Sequence, residues 1–152
     1  MEELRELYQQ VILDHNNSPR NYGVIDNPSH YAEGDNPLCG DHIDLYVSVD
    51  DDIIKDVSFK GKGCAISKAS ASLMTSEIKG KTIEEANSIF EKFHDMITTN
   101  SEVMIDIDKF GKLAVLAGVK KFPLRVKCAS LAWHTLSAAL QQKMEKVKIS
   151  TE

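Results

Sequence analysis

Three cysteines and one aspartate are the residues through which this chain can do chemistry. Cys39 and Asp41 lie together in Asn36-Pro37-Leu38-Cys39-Gly40-Asp41, Cys64 follows Gly61-Lys62-Gly63, and Cys128 follows Arg125-Val126-Lys127. The thiolate, not the thiol, binds metal and attacks sulfur. A helix start after Cys64, and Arg125 and Lys127 beside Cys128, favour that form. Three thiolates and a carboxylate suit a tetrahedral Zn²⁺, or an iron–sulfur cluster with one labile ligand. No two cysteines form a Cys-x-x-Cys pair. Spacing alone therefore leaves open a second reading, in which each is a buried small apolar residue, the common state of free cysteine. An Asp in a Gly-containing loop is likewise most often a turn residue or cap.

Composition narrows the field. An odd cysteine count in a chain opening Met1-Glu2-Glu3, with no export signal, argues against a closed disulfide framework. It predicts reduced thiols and a cytoplasmic location. The 152 residues carry a net charge of −5, which offers no electrostatic footprint for nucleic acid. No apolar run approaches the roughly 20 residues of a membrane span. With 42% apolar residues the chain can fill one core, and residues 1–152 are expected to form a single domain.

The elements that must position the four residues follow from periodicity. Leu4, Leu7, Tyr8, Val11 and Ile12 recur at helical spacing, and Ser18-Pro19 stops that helix. Residues 20–41, rich in Pro, Gly, Asn and Asp, read as loop. Alternation over 42–61 about the polar turn Asp50-Asp51-Asp52 predicts an antiparallel hairpin. Ser67 is the expected N-cap of a helix closed by Gly80. Thr82-Ile83-Glu84-Glu85 reads as a capping box for the next helix, which carries Phe90 and Phe93. Residues 98–108 read as a connection, and Phe110, Leu113, Ala114 and Ala117 as a short helix ended by Gly118. Pro123 suits the first turn of a last helix, on which Trp133 and Met144 sit at helical spacing, with Trp133 a core residue. Strands followed by helices predict an α+β fold with helices on one face of a small sheet. His15, His30, His42, His94 and His134 are expected to be structural or solvent-facing. A cysteine hydrolase or transferase using a Cys–His pair stays open as a further alternative, although no His is sequence-linked to any of the three cysteines in a recognisable way.

At these same residues the chain resembles the NifU N-terminal/IscU family of iron–sulfur assembly proteins. The likeness runs over nearly the whole length in three ordered blocks. The first joins Asp14-His15 and Ser18-Pro19-Arg20-Asn21-Tyr22-Gly23 to Asn36-Pro37-Leu38-Cys39-Gly40-Asp41. The second is Gly61-Lys62-Gly63-Cys64-Ala65-Ile66-Ser67 with Ala69-Ser70-Ala71-Ser72. The third is Arg125-Val126-Lys127-Cys128-Ala129-Ser130-Leu131-Ala132-Trp133. The resemblance implies a three-stranded antiparallel sheet packed by helices, and metal-ligand roles for Cys39, Asp41, Cys64 and Cys128. Lys127 stands where the IscU branch has His. Val119-Lys120-Lys121-Phe122-Pro123-Leu124 replaces that branch's chaperone-recognition stretch, and 81–106 reads as an insertion. These features are similar to the SufU branch.

That branch implies a Zn²⁺-dependent sulfurtransferase that activates a SufS-type cysteine desulfurase, takes persulfide sulfur and hands it to downstream cluster-assembly proteins. The alternative is a scaffold building an iron–sulfur cluster on the same four ligands. A closed four-ligand zinc site is structural by default, so a sulfur acceptor must release one ligand. Cys39, on the Gly-flanked loop, is the expected acceptor. Asp41, a harder donor than thiolate, is expected to make the site more labile. Arg125 is expected beside the site, contacting Asp41 or the desulfurase.

Overall fold

Alternating burial builds the sheet and leaves one end of it for the site. A computed structural model describes residues 2–37, 40–98, 111–141 and 148–150. Strand β1 is His30–Asn36, β2 is Asp41–Asp50 and β3 is Ile53–Lys62. Both pairings are antiparallel, His30 to Val47 through Asn36 to Asp41, and His42 to Lys62 through Asp50 to Ile53. Asp51 and Asp52 both have positive φ, +54° and +61°. Such a two-residue turn matches the twist of the strands it joins. The expected hairpin over 42–61 is present. The expected three-stranded antiparallel sheet is complete with β1, and a short β4, Lys148–Ser150, adds parallel to β1 for an order β3-β2-β1-β4.

Strand β1 corrects the loop reading of residues 20–41. Its inward positions are His30, Ala32, Gly34 and Asn36, so burial alternates while hydrophobicity does not. Gly34 has a packing reason. A Cβ there would collide with the Thr135 hydroxyl and lie 3.1 Å from Leu131 Cδ1, so the strand can lie directly beneath the last helix.

The helices are α1 (Glu2–Asn17), α2 (Ala65–Ile78), α3 (Ile83–Thr98), a 3-10 segment (Gly111–Lys121) and α4 (Pro123–Gln141). Helix α4 packs on β1 and β2, and α2 on β3, α4 and α1. Ser67, Ala69, Ser70, Ala71, Ser72 and Thr75 of α2 are all buried, because a helix enclosed on several sides needs small side chains. Ser70 Oγ donates to the Ala129 carbonyl at 2.5 Å and accepts from Trp133 Nε1 at 3.2 Å. Trp133 is fully buried, as expected, and stacks on Phe93 at 4.7 Å. These contacts fix α2 against α4.

Several boundaries differ from expectation. The N-cap of α2 is Cys64, whose sulfur accepts the Ser67 N–H at 3.4 Å. Ser67 itself is three residues inside and buried. The 3-10 segment runs through Gly118 to Lys121 and ends against Pro123, whose missing N–H opens α4. Thr82 and Glu85 do form the capping box, each side chain accepting the other's backbone N–H at 3.0 Å. Phe110, Met144 and the connection from 99 onward lie outside the described residues.

Asp14-His15 and Ser18–Gly23 turn out to fasten the fold. Ser72 Oγ bonds His15 Nδ1 at 2.7 Å and accepts the Arg20 N–H at 2.8 Å. Asn21, at φ +57°, donates to Thr75 Oγ1 and bonds the Phe59 backbone, as Gly23 does. The block ties α1 to α2 and to the outer edge of β3.

Candidate metal centre

Strand β1 ends, β2 begins, β3 ends and both α2 and α4 begin at the same end of the sandwich. That topology brings Asp41, Cys64 and Cys128 together, with one donor atom from each lying within 4.8 Å of the others. Asp41 is the first residue of β2 and is 2% exposed. Cys128, in the second turn of α4, is 3% exposed, and Cys64 is partly exposed. The Cys64 N–H donates to Asp41 Oδ1 at 2.9 Å, and the Cys64 sulfur lies 3.9 Å from Oδ2. Cys39, the remaining expected ligand and the expected sulfur acceptor, lies outside the described residues.

Glycine makes room for the carboxylate. At Gly63, φ +151°, a Cβ would lie 2.9 Å from Asp41 Cγ and closer still to Oδ1. Any larger residue there would displace the carboxylate or the Cys64 backbone.

The donor set fits a soft, tetrahedral divalent ion. Zn–S bonds of about 2.3 Å and Zn–O bonds of about 2.1 Å give tetrahedral donor–donor edges of about 3.6–3.8 Å, close to the 3.9 Å between the Cys64 sulfur and Asp41 Oδ2. Asp41 has a further reason to hold a cation. A buried carboxylate is costly unless paired, and among the described residues no Lys, Arg or His pairs with it. The site-facing sulfurs each meet an N–H, from Ser67 for Cys64 and from Asn36 Nδ2 for Cys128 at 3.8 Å.

The other expected participants divide. His42 points to the opposite face of β2 from Asp41, as strand parity requires. Its Nδ1 lies 2.7 Å from Asp35 and its Nε2 3.1 Å from Asp44. The Asp35 hydrogen bond raises the His42 pKa above its ordinary value despite burial, with Asp44 adding to it. Glu33, His42 and Asp44 have ligand atoms close enough for an ion, but both ring nitrogens are already engaged. Arg125 is exposed and stacks over the Phe122 ring at 4.7 Å. It forms no ion pair with Asp41 among the described residues, so of its two expected contacts the one to Asp41 is not made. Arg125 instead borders an open groove of about 710 Å³ that reaches the first turn of α2 at Ile66. Leu13, Phe122 and Leu124, on or near that groove, are 49–57% exposed.

Sequence reasoning missed Asn36 and Gly63. Both stand inside quoted motifs, but nothing in composition marks an amide or a missing Cβ as part of a site.

Comparison with known proteins agrees with this geometry. The family model described as NifU-like N terminal domain matches residues 7–129. A zinc-dependent sulfurtransferase SufU of Bacillus subtilis (strain 168) is 47% identical over 140 residues, 92% of this chain and 93% of that protein. An iron-sulfur cluster assembly scaffold protein IscU of Streptococcus pyogenes serotype M1 is 39% identical, over 93% of this chain and 87% of its own. Among solved structures, a putative iron-sulfur cluster assembly scaffold protein for the SUF system from Fervidobacterium islandicum AW-1 superposes with a TM-score of 0.79. It is 38% identical and covers 86% of this chain and 94% of its own.

Proposed function

The chain belongs to the family of NifU-like N-terminal domains, and from that premise we propose that it is a zinc-dependent sulfurtransferase of iron–sulfur cluster biogenesis, acting in the cytoplasm as one domain over 1–152. The observation that carries the reading is the buried Asp41 carboxylate, unpaired with any cation among the described residues and gathered with Cys64 and Cys128. Cys39, Asp41, Cys64 and Cys128 would hold Zn²⁺. Bound zinc would keep the sulfurs deprotonated by neutralising two of the four negative charges these donors bring.

The chain's own residues then divide the work. Asp41, Cys64 and Cys128 are anchored by the sheet and by two helices packed on each other. Cys39 lies between Pro37 and Gly40 and is the donor that turns toward a partner. Its thiolate attacks the terminal sulfur of a cysteine desulfurase's persulfide. The Cys39 Sγ–S bond forms as the enzyme's own S–S bond breaks, and the enzyme cysteine leaves as a thiolate. Cys39 now carries the persulfide, with no net oxidation or reduction. Exchange of this kind depends on thiolate fraction and access. The exposed apolar residues beside Arg125 support docking of that partner at this end of the molecule. No helix among the described residues is long and apolar enough to cross a membrane.

A second reading, a scaffold that assembles a cluster on the same four ligands, is supported by the IscU relative. Metal analysis of protein purified without added iron separates the two. About one zinc per chain is expected; iron with labile sulfide in its place would favour the scaffold, and a metal-free active protein would overturn both.

A further inference from the structure

Asn36 closes β1 and makes a side-chain contact that a turn residue would not need. It is fully buried, and its Nδ2 lies 3.8 Å from the Cys128 sulfur, across the sheet-to-helix interface. Its Oδ1 is buried with no partner among the described residues. A buried amide costs free energy unless its polar atoms are satisfied, so the side chain's one hydrogen bond to sulfur is what orients it. The orientation has a chemical reason. Turned over, the amide would set its oxygen lone pairs against the electron pairs of a thiolate. With Nδ2 toward sulfur, it donates to them.

The same residue touches the other half of the site. The Asn36 carbonyl accepts the Gly40 N–H at 2.9 Å, and Asn36 is the cross-strand partner of Asp41. One residue is therefore bonded to Cys128 by its side chain and to Gly40, next to Asp41 in sequence, by its backbone.

We infer that Asn36 is a positioning residue that fixes Cys128 as a permanent metal ligand, its side-chain N–H bonding the sulfur and lowering that sulfur's nucleophilicity. A hydrogen bond donated to a thiolate withdraws charge from it, as outer-shell partners of metal ligands do. Cys64 has the corresponding donor in the Ser67 N–H. The two anchoring sulfurs are thus each held by an N–H, which leaves the exchange chemistry to Cys39. The inference rests on the metal-site reading proposed above.

The test begins with the unmodified full chain loaded with ¹¹³Cd²⁺. A resolved scalar coupling between cadmium and one Asn36 side-chain amide proton, transmitted through the N–H···S bond, is expected. A spectrum in which the Asn36 amide protons show no coupling to the bound metal would overturn the proposal. A chain that takes up no cadmium would instead sink the metal-site reading. As a second measurement, Asn36→Asp, which keeps the shape but loses the N–H, and Asn36→Ala should each raise the zinc dissociation constant roughly 10- to 100-fold. In both variants, zinc-loaded Cys128 should be alkylated faster than in the unmodified chain, with Cys64 unchanged. An unchanged affinity together with an unchanged Cys128 alkylation rate would count against Asn36.

Discussion

The Cys64 N–H donates to Asp41 Oδ1 at 2.9 Å, while the Cys64 sulfur lies 3.9 Å from Oδ2 of the same carboxylate. One side chain thus orients the start of α2 with one oxygen and leaves the other beside the sulfur. The carboxylate of a strand's first residue and the sulfur of a helix cap thereby become neighbours. Gly63 permits the approach by having no Cβ.

Asp41→Asn separates those two jobs. The amide oxygen can still accept the Cys64 N–H, so the fold should persist. The negative charge is lost, and with it the hard donor. Zinc affinity should fall by at least an order of magnitude, measured by competition with a chromophoric chelator, an effect at least as large as outer-shell changes produce. An affinity equal to that of the unmodified chain would remove Asp41 from the ligand set.

Ser70 holds α2 and α4, the helices of Cys64 and Cys128, in register. Ser70→Ala strands the buried Trp133 N–H without its acceptor. Leaving a buried donor unsatisfied costs about 1–3 kcal/mol, so urea unfolding should show a loss of that size. A loss within error would mean that packing alone sets the helix pair.

Arg125 lies exposed against Phe122 and forms no ion pair with Asp41 among the described residues. Arg125→Ala should retain its zinc and most of its stability. It should activate a cysteine desulfurase poorly, read as turnover of cysteine to alanine. Unchanged activation kinetics would leave Arg125 an ordinary solvated cation.

His15 gives the stability a pH dependence unconnected with the metal. Burial first, then the Arg20 charge and more distantly Lys112, hold its pKa below the ordinary 6.5, with Asp14 opposing them. Ser72 Oγ already accepts the Arg20 N–H, so its own proton is directed to a neutral Nδ1. The unfolded chain takes up a proton as pH falls through about 6.5, and the folded chain does so only at lower pH. The contribution is therefore fully present above 6.5 and is lost as pH falls from there toward the folded-state value. Urea midpoints measured from pH 8 to pH 5 should fall more for the unmodified chain than for His15→Asn. Parallel curves would contradict the assignment.

The parts of this site that were legible in the sequence are those whose chemistry is carried by residue type. Cys64, Cys128 and Asp41 name donors that the fold brings together, Thr82 and Glu85 name a helix start, and Pro123 names another. The illegible parts are carried by packing. Strand β1 was hidden because its inward residues are His30, Ala32, Gly34 and Asn36, chosen to admit α4 and to reach Cys128 rather than to be hydrophobic. Cys64 was not read as a cap because sulfur is a weak acceptor, usually outranked by a nearby serine. The 3-10 segment passes Gly118 because its neighbours Leu116 and Val119 are buried, and tertiary contact outweighs a single glycine.

The central claim is that Cys39 takes the sulfur while Asp41, Cys64 and Cys128 stay anchored. Its most direct test is peptide mapping of the zinc-loaded chain after incubation with a cysteine desulfurase and cysteine, with persulfides trapped by alkylation. One added sulfur on the peptide carrying Cys39, and none when Cys39→Ala is used, is the predicted result. Added sulfur on Cys64 or Cys128, or full transfer to the Cys39→Ala chain, would contradict it.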